Sequence, residues 1–157
     1  MTPQTCAGWL ASVILLAATV VSAQQGQKSD VAQHACDQAQ TQAEMTQCAG
    51  EQYHKADTRL NAIYRKLLDS MQKDLSQAQS APKDADLVKH SEEAIEKLKA
   101  AEKAWIQYRD LHCEAARHQF EGGSMSPMIR ASCMEQTTLD RIEELKSAYE
   151  GDDRKLE

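Results

Sequence analysis

Two groups of polar and aromatic residues carry the side chains best suited to chemistry. The first group consists of Asp57, Asn61 and Tyr64, and the second of Trp105, Tyr108 and Arg109. A carboxylate and a guanidinium form strong hydrogen-bonded ion pairs, and we expect one between Asp57 and Arg109. Catalysis would also need a nucleophile or a second titrating group, and neither group of residues supplies one. We therefore predict a structural polar cluster, with no catalytic residue, in a protein that is not an enzyme.

Cysteine chemistry is the second possibility in this sequence. Outside the first 23 residues there are four cysteines, namely Cys36, Cys48, Cys113 and Cys133. An even number of cysteines in an exported chain indicates disulfides, and four cysteines allow three different pairings. A zinc site would favour Cys-x-x-Cys spacing, which this sequence does not contain. The spacing alone leaves the pairing open.

A metal site is the third possibility. His112 and His118 lie near Met125, Met128 and Met134 in the sequence, and imidazole and thioether ligands suit copper. Methionine more often fills the core between helices, and we expect these methionines to do so. The sequence also contains no Gly-rich phosphate loop and no H-E-x-x-H motif. We expect no metal and no cofactor.

The first residues have the features of an export signal. Residues 1–23 carry no charged side chain, and the stretch Trp9–Val21 is almost wholly apolar. Small residues at positions 21 and 23 predict a secretory signal peptide. The apolar stretch is shorter than the roughly 20 residues of a membrane span, although an uncleaved anchor is the alternative. We expect a periplasmic or secreted protein that starts at Gln24, without stable membrane insertion.

The formal net charge of −6 limits the classes of partner. Nucleic-acid binding needs a basic face, so we expect no nucleic acid partner. An acidic protein attracts a basic partner over a long range. The charge also favours solubility, whatever the partner is.

Apolar residues recur at helical spacing through most of the chain. The first helix is predicted from about Gln42 to Gln72, with Thr41 and Glu44 as a capping box. After a polar linker from Ser76 to Asp84, the second helix is predicted to start between Pro82 and Ser91 and to reach about Glu121. Ser126 as N-cap, followed by Pro127, predicts the third helix, which ends near Gly151. Strand patterns are absent.

These elements predict an all-α fold, an antiparallel up-down-up arrangement of three helices. We place the domain at residues 24–151 and a disordered tail at 152–157. In this arrangement all four cysteines lie at one end of the bundle. Cys113 lies nine residues before Gly122, or about 13 Å along a helix, and Cys133 lies at a comparable distance after the turn. We favour Cys113–Cys133 and Cys36–Cys48, while crossed pairings stay possible.

The same residues carry a resemblance to a known family. The spacing C-x4-Y-x3-D-x3-N-x2-Y begins at Cys48, and A-W-x2-Y-R-D-x2-C ends at Cys113. Together with Cys36, the sequence 122–124 (Gly-Gly-Ser) and Cys133, the combination resembles the LprI-like lysozyme-inhibitor family over about residues 33–146.

The resemblance implies an exported helical protein that binds lysozyme and blocks its attack on the cell wall. Gly122, Gly123 and Ser124 form the candidate binding loop, with a plain helix-ending turn as the alternative. A different class of function is a periplasmic structural or stress adaptor that binds another envelope protein. The expected partner is therefore a lysozyme or another envelope protein.

Overall fold

The computed structural model describes residues 36–80, 85–151 and 154–157. Within these residues there are three helices, α1 (Gln42–Ser80), α2 (Ala85–His118) and α3 (Ser126–Tyr149). The chain divides into two compact units, Met1–Gln38 and Ala39–Glu157, and all three helices belong to the second. No strand occurs in the described ranges, which contain one isolated bridge between Gly151 and Arg154. The predicted all-α class is confirmed.

Contacts between the helices give their directions. Gln42 Nε2 lies 3.5 Å from Met128 Sδ near the starts of α1 and α3. Beyond the other end of α3, Arg154 pairs with Asp74, so α1 and α3 run in the same direction. On α2, Arg109 contacts Thr138 of α3, whereas Glu102, which is earlier in the chain, contacts Arg141, which is later. Helix α2 therefore runs antiparallel to α1 and α3. These contacts correspond to the predicted up-down-up order.

The core lies between the three helices. Its buried residues are Leu60, Ile63, Leu67, Leu98, Ile142, Leu145 and Leu156. Those on α1 recur every three or four residues, which places them on one face of the helix. Burying each of these large side chains contributes about 1.5–3 kcal/mol, and this term drives the helices together.

The predicted capping box at the start of α1 is present. Glu44 N–H donates to Thr41 Oγ1 at 3.3 Å, and Thr41 N–H donates to Glu44 Oε2 at 2.9 Å. Gln40 N–H also donates to Glu44 Oε2, at 3.0 Å. These bonds satisfy backbone donors that have no partner inside the helix. They also hold the pKa of Glu44 below its usual value, led by the bond from Thr41 N–H.

Two predicted helix boundaries need correction. Helix α1 continues to Ser80, so residues 76–80 of the predicted linker are helical, and residues 81–84 lie outside the described residues. Ser and Gln are tolerated in helices, so their polarity alone did not mark a helix end. Helix α2 ends at His118, three residues earlier than predicted.

Ser126 is not the N-cap of α3. It is the first helical residue, and Met125 occupies the cap position without a side-chain capping bond. The Ser126 hydroxyl instead lies 3.4 Å from Arg117 Nη1 and 3.5 Å from Arg117 O. The side chain therefore connects the end of α2 to the start of α3. Pro127 lies in the first turn, as predicted.

The last residues do not form a disordered tail where the structure describes them. Leu156 is only 2% exposed and belongs to the core. Arg154 Nε donates to Ser70 Oγ at 2.9 Å, and Lys66 Nζ donates to Glu157 O at 2.9 Å. The charged composition of the segment suggested fraying, but one leucine packs into the bundle and its neighbours pair with α1.

Both favoured disulfides are confirmed. Cys113 and Cys133 join α2 to α3, with 5.4 Å between their Cα atoms. Cys36 and Cys48 are also disulfide-bonded. Cys113 is fully buried.

The predicted signal peptide, residues 1–23, lies outside the described residues, as do residues 24–35. In the described ranges, no helix has the length and apolar character needed to cross a membrane.

Candidate functional site

Arg109 connects all three helices. Its side chain is 8% exposed, and Nη1 donates to Asp57 Oδ1 on α1 at 3.0 Å. The same nitrogen lies 3.5 Å from Thr138 Oγ1 on α3, while Nε donates to Asp110 Oδ1 at 3.1 Å. The predicted Asp57–Arg109 pair is therefore present. A planar guanidinium with several fixed donors suits such a three-helix junction better than an ammonium group does.

Two aromatic rings cover this guanidinium. Its central carbon lies 5.5 Å from the centre of the Tyr53 ring and 5.1 Å from the Trp105 ring, both within cation–π range. Burial opposes the charge of Arg109, but its interaction with Tyr53 and its hydrogen bonds to Asp57 and Asp110 keep its pKa above the usual value. Desolvation also raises the pKa of the Tyr53 phenol. Arg109 therefore remains charged and cannot serve as a general acid.

Asn61 holds the carboxylate in place. Its Nδ2 donates to the Asp57 backbone oxygen at 2.8 Å and to Asp57 Oδ2 at 3.0 Å. Asp57 Oδ1 then faces Arg109. The spacing of four residues on one helix face explains why Asn61 and Asp57 meet.

Two of the predicted cluster residues lie elsewhere. Tyr108 is 58% exposed, and its ring stacks on that of His112 with 5.4 Å between centres. Tyr108 precedes buried Arg109 by one position, a rotation of about 100° around the helix, so it points away from the junction. Tyr64 packs against the apolar core, and desolvation, followed by the charge of Glu102, raises its pKa.

A second buried ion pair was not predicted from the sequence. Arg141 Nε and Nη2 both donate to Glu102 Oε2, at 3.1 and 3.0 Å. The Arg141 guanidinium also lies 5.7 Å from the Trp105 ring, so one indole contacts two arginines. Glu102 falls between Leu98 and Trp105 at the spacing of core residues, and this position was the signal in the sequence. Tyr53 and Thr138 were also absent from the predicted cluster.

The predicted binding loop lies in the connection between α2 and α3. Gly122, Gly123 and Ser124 are all exposed. Gly122 has φ +80°, which favours glycine, and Gly123 N–H donates to Phe120 O at 3.0 Å. A Cβ atom on Gly123 would lie only 3.2 Å from that same oxygen. The turn therefore favours glycine at both positions, most strongly at Gly122, as the helix-ending alternative predicts.

Ion pairs fix the base of this loop. Glu114 accepts from Arg117 at the end of α2, and from Arg130 Nε on α3 at 3.2 Å. The hydrogen bond from Arg117 is the largest of the effects that lower the pKa of Glu114. Together with the Cys113–Cys133 bond, these contacts hold the two ends of the connection at a fixed separation. The loop is thus an exposed segment on a rigid base.

Three residues of the metal alternative make other contacts or are buried. His112 stacks on Tyr108, His118 Nδ1 lies 2.9 Å from Glu121 Oε2, and Met134 is buried. Among the described residues, no group of three or more His, Cys, Asp or Glu side chains could hold a metal ion.

A shallow cleft of about 410 Å³ lies at the other end of the bundle. Ser70, Asp74, Tyr149 and Arg154 contribute to its lining. Arg154 already pairs with Asp74 and Ser70 there, so its donors serve the fold.

Comparisons with known proteins identify relatives of this chain. A family model described as "Lysozyme inhibitor LprI" matches residues 32–145. The chain is also similar to "Uncharacterized protein R02472" of Rhizobium meliloti (strain 1021), with 37% identity over 118 residues. That alignment covers 73% of this chain and 78% of the relative. No solved structure matches.

Proposed function

Because the chain belongs to the LprI lysozyme inhibitor family, we propose that it binds a lysozyme and blocks hydrolysis of the cell wall. The observation that carries this proposal is the extent of the family match. It spans residues 32–145, which include all four cysteines outside the predicted signal, the Arg109 junction and the loop between α2 and α3. The proposed activity is therefore assigned to the bundle as a whole.

The mechanism that suits this bundle is binding that covers the enzyme's cleft. Many lysozymes are strongly basic, with two carboxyl groups in a sugar-binding cleft. An inhibitor with a net charge of −6 is attracted by the overall field of such an enzyme. The attraction acts over about 10 Å at 0.1 M salt, so it weakens as salt is added.

The loop of Gly122, Gly123 and Ser124 is the segment that we propose enters or covers the cleft. Phe120 and Met125 flank it, and both are exposed large apolar side chains. A buried aromatic side chain often supplies much of the affinity at a protein interface, which gives Phe120 that role. The fixed base of the loop reduces the entropy lost on binding.

The proposed location is the periplasm or the extracellular space. Two disulfides and membership of an inhibitor family are consistent with a protein outside the cytoplasm. The lysozymes that it would meet act in the same compartments.

A cell-wall lysis assay tests the proposed function. Oxidised protein comprising Gln24–Glu157 would be titrated against a basic animal-type lysozyme at low and moderate salt. We expect saturable inhibition that weakens as salt increases. Full lysis at a large molar excess of folded protein would reject this target.

A matched pair of variants tests the role of the loop. Phe120→Ala removes the proposed anchor, and Ile106→Ala removes an equally exposed aliphatic side chain from α2, away from the loop. We expect Phe120→Ala to weaken inhibition about tenfold or more, the effect of losing about 1.4 kcal/mol of binding energy. Equal inhibition by both variants would remove the loop from the interface.

A further inference from the structure

Three methionines lie close together in the sequence at the start of α3. They are Met125, Met128 and Met134, whose thioether sulfurs suggested the metal alternative. The fold gives each of them a different exposure. Met125 is 41% exposed, Met128 is half-buried, and Met134 is only 3% exposed. The run therefore contains one sulfur open to solvent and two that the bundle partly or wholly covers.

The two covered methionines take part in the packing of the bundle. Met128 Sδ accepts a hydrogen bond from Gln42 Nε2 at 3.5 Å, which joins the start of α3 to α1. Met134 is one of the buried apolar residues of the core. An oxygen atom added to its sulfur would be a buried polar group, which is costly without a hydrogen-bond donor. The folded chain therefore protects both sulfurs from oxidants, and Met134 more than Met128.

The Met125 side chain has no such role in the fold. Met125 occupies the N-cap position of α3, where it makes no side-chain capping hydrogen bond. Its contribution to the helix comes from the backbone, since its carbonyl oxygen accepts from Ile129 N–H at 3.0 Å. That bond does not involve the sulfur. A chemical change at the sulfur therefore leaves the start of α3 in place.

Free thiols do not compete with Met125 for oxidants in the described part of the chain. All four cysteines there are disulfide-bonded. The sulfurs left to react are thioethers, which oxidants convert to methionine sulfoxide. One further methionine among the described residues is exposed, namely Met45 on α1, at 36%. It lies outside the connection between α2 and α3 and serves as a matched control.

We propose that Met125 is a reversible oxidation site that regulates the adjoining loop of Gly122, Gly123 and Ser124. Hydrogen peroxide transfers one oxygen atom to the Met125 sulfur, which gives the sulfoxide, and the rest of the peroxide leaves as water. The sulfur loses two electrons, the peroxide gains them, and no bond of the chain breaks. A dithiol-dependent reductase reverses the step, because the dithiol becomes a disulfide and the oxygen leaves as water.

The sulfoxide changes the chemistry of the loop's edge. Met125 and Phe120 are the exposed large apolar side chains that flank the loop. Oxidation makes the first of them polar while its neighbour stays apolar. Burial of the sulfoxide oxygen against a partner requires a hydrogen-bond donor that the thioether does not need. Oxidation should therefore weaken binding at this surface, and this consequence rests on the proposed function of the loop.

Peptide mapping by mass spectrometry tests the site without any partner. The folded, disulfide-bonded protein would be treated with dilute hydrogen peroxide, and the sulfoxide at each methionine measured over time. We expect Met125 to react several times faster than Met128 and Met134, while the helical circular dichroism stays unchanged. In urea the three rates should become similar. Equal rates in the folded protein, or loss of helical signal as Met125 reacts, would overturn the proposal.

A matched pair of variants tests the consequence for binding. Met125→Gln places a polar side chain of similar length at the site, and Met45→Gln does the same at the similarly exposed position on α1. In a lysozyme lysis assay, Met125→Gln should inhibit about tenfold less well than the unmodified chain, and Met45→Gln equally well. Equal inhibition by the two variants would overturn the regulation.

Peroxide treatment of the leucine variants completes the test. Treatment should weaken inhibition by Met45→Leu, as in the unmodified chain, but not by Met125→Leu, which has no sulfur at the site. Loss of inhibition in treated Met125→Leu would overturn the proposal. An untreated, unmodified chain that does not inhibit lysozyme would reject the proposed function and the regulation with it, whereas the peptide map would still decide whether Met125 is the oxidation site.

Discussion

At the scale of single residues, Arg109 and Glu102 explain how charged side chains are accommodated among apolar helices. Each is buried, and each has its charge matched by a group on another helix, Asp57 for Arg109 and Arg141 for Glu102. The Trp105 ring lies within cation–π range of both guanidinium groups. Such pairs add modestly to stability, but removing one partner is costly because the other charge stays desolvated. We infer that they fix the register of the helices.

Arg109→Met should lower the free energy of unfolding by about 2 kcal/mol, since Asp57 then loses its partner but is open enough to regain some water. Arg109→Lys should restore little of this loss, because an ammonium group cannot reproduce the forked contacts. Urea unfolding gives both values. Arg65→Met, at an exposed position of α1, is the control and should change stability by less than about 0.5 kcal/mol. Equal losses for Arg109→Met and Arg65→Met would contradict the account.

Stability should fall as the solution becomes acidic. Hydrogen bonds lower the pKa values of Glu44 and Glu114 in the folded protein, chiefly from Thr41 N–H and from Arg117. A carboxyl group whose pKa is lower in the folded protein stabilises the fold at pH values above its unfolded pKa, about 4.3. This stabilisation is lost as the pH falls through the folded pKa. Urea midpoints at low salt should therefore drop less steeply with acid in Glu114→Gln than in the unmodified chain. Identical slopes would show that the Glu114 pairs contribute nothing.

At the scale of elements, the turn between α2 and α3 depends on its glycines, whereas the helices depend on periodic apolar residues. Gly122 has a backbone conformation that other residues rarely adopt, and a Cβ atom on Gly123 would make a tight contact of 3.2 Å with Phe120 O. Gly50 is different, because it lies inside α1 and a Cβ atom there would meet nothing within 4 Å. The two environments predict opposite effects of the same substitution.

Gly122→Ala should destabilise the protein by about 1 kcal/mol because alanine is strained at positive φ. Gly50→Ala should instead stabilise it by about 0.5–1 kcal/mol, since alanine restricts the unfolded chain and favours the helix. Thermal or urea unfolding of the two variants gives the comparison. A stabilising Gly122→Ala would mean that the turn is not built as described.

Strong local patterns in the sequence predicted most of these elements. The capping box at Thr41 and Glu44 was found because it has a local physical cause. The glycines were correctly placed in the connection after α2, but the helix ends at His118, before it reaches them. The end of α1 was missed because residues 76–80 are polar but compatible with a helix. Tyr108 was assigned to the Arg109 cluster because sequence proximity does not resolve a 100° rotation around a helix. The Glu102–Arg141 pair depends on which helices pack together, which no local pattern specifies.

At the scale of the whole molecule, the segment after α3 completes the core. Leu156 is buried with α1, α2 and α3 residues, and Glu157 pairs with Arg59 and Lys146. The Cys113–Cys133 bond joins α2 to α3 toward the opposite end. The bundle is therefore held by a covalent bond toward one end and by a leucine from the last residues packed in its core.

Leu156→Ala should cost about 2–4 kcal/mol of stability, the range for truncating a buried leucine. Leu111→Ala is the matched control, because Leu111 is exposed, and it should cost less than about 0.5 kcal/mol. Urea unfolding distinguishes the two. Equal, small effects would mean that the last residues do not pack in the core.

The proposed inhibition is best tested by isothermal titration calorimetry, with the oxidised protein comprising Gln24–Glu157 titrated into a basic lysozyme. We expect saturable binding with a defined stoichiometry, and an affinity that decreases as salt is raised. Disulfide-bonded, helical protein that shows no saturable binding at low salt would contradict the proposal that this family member acts on such a lysozyme.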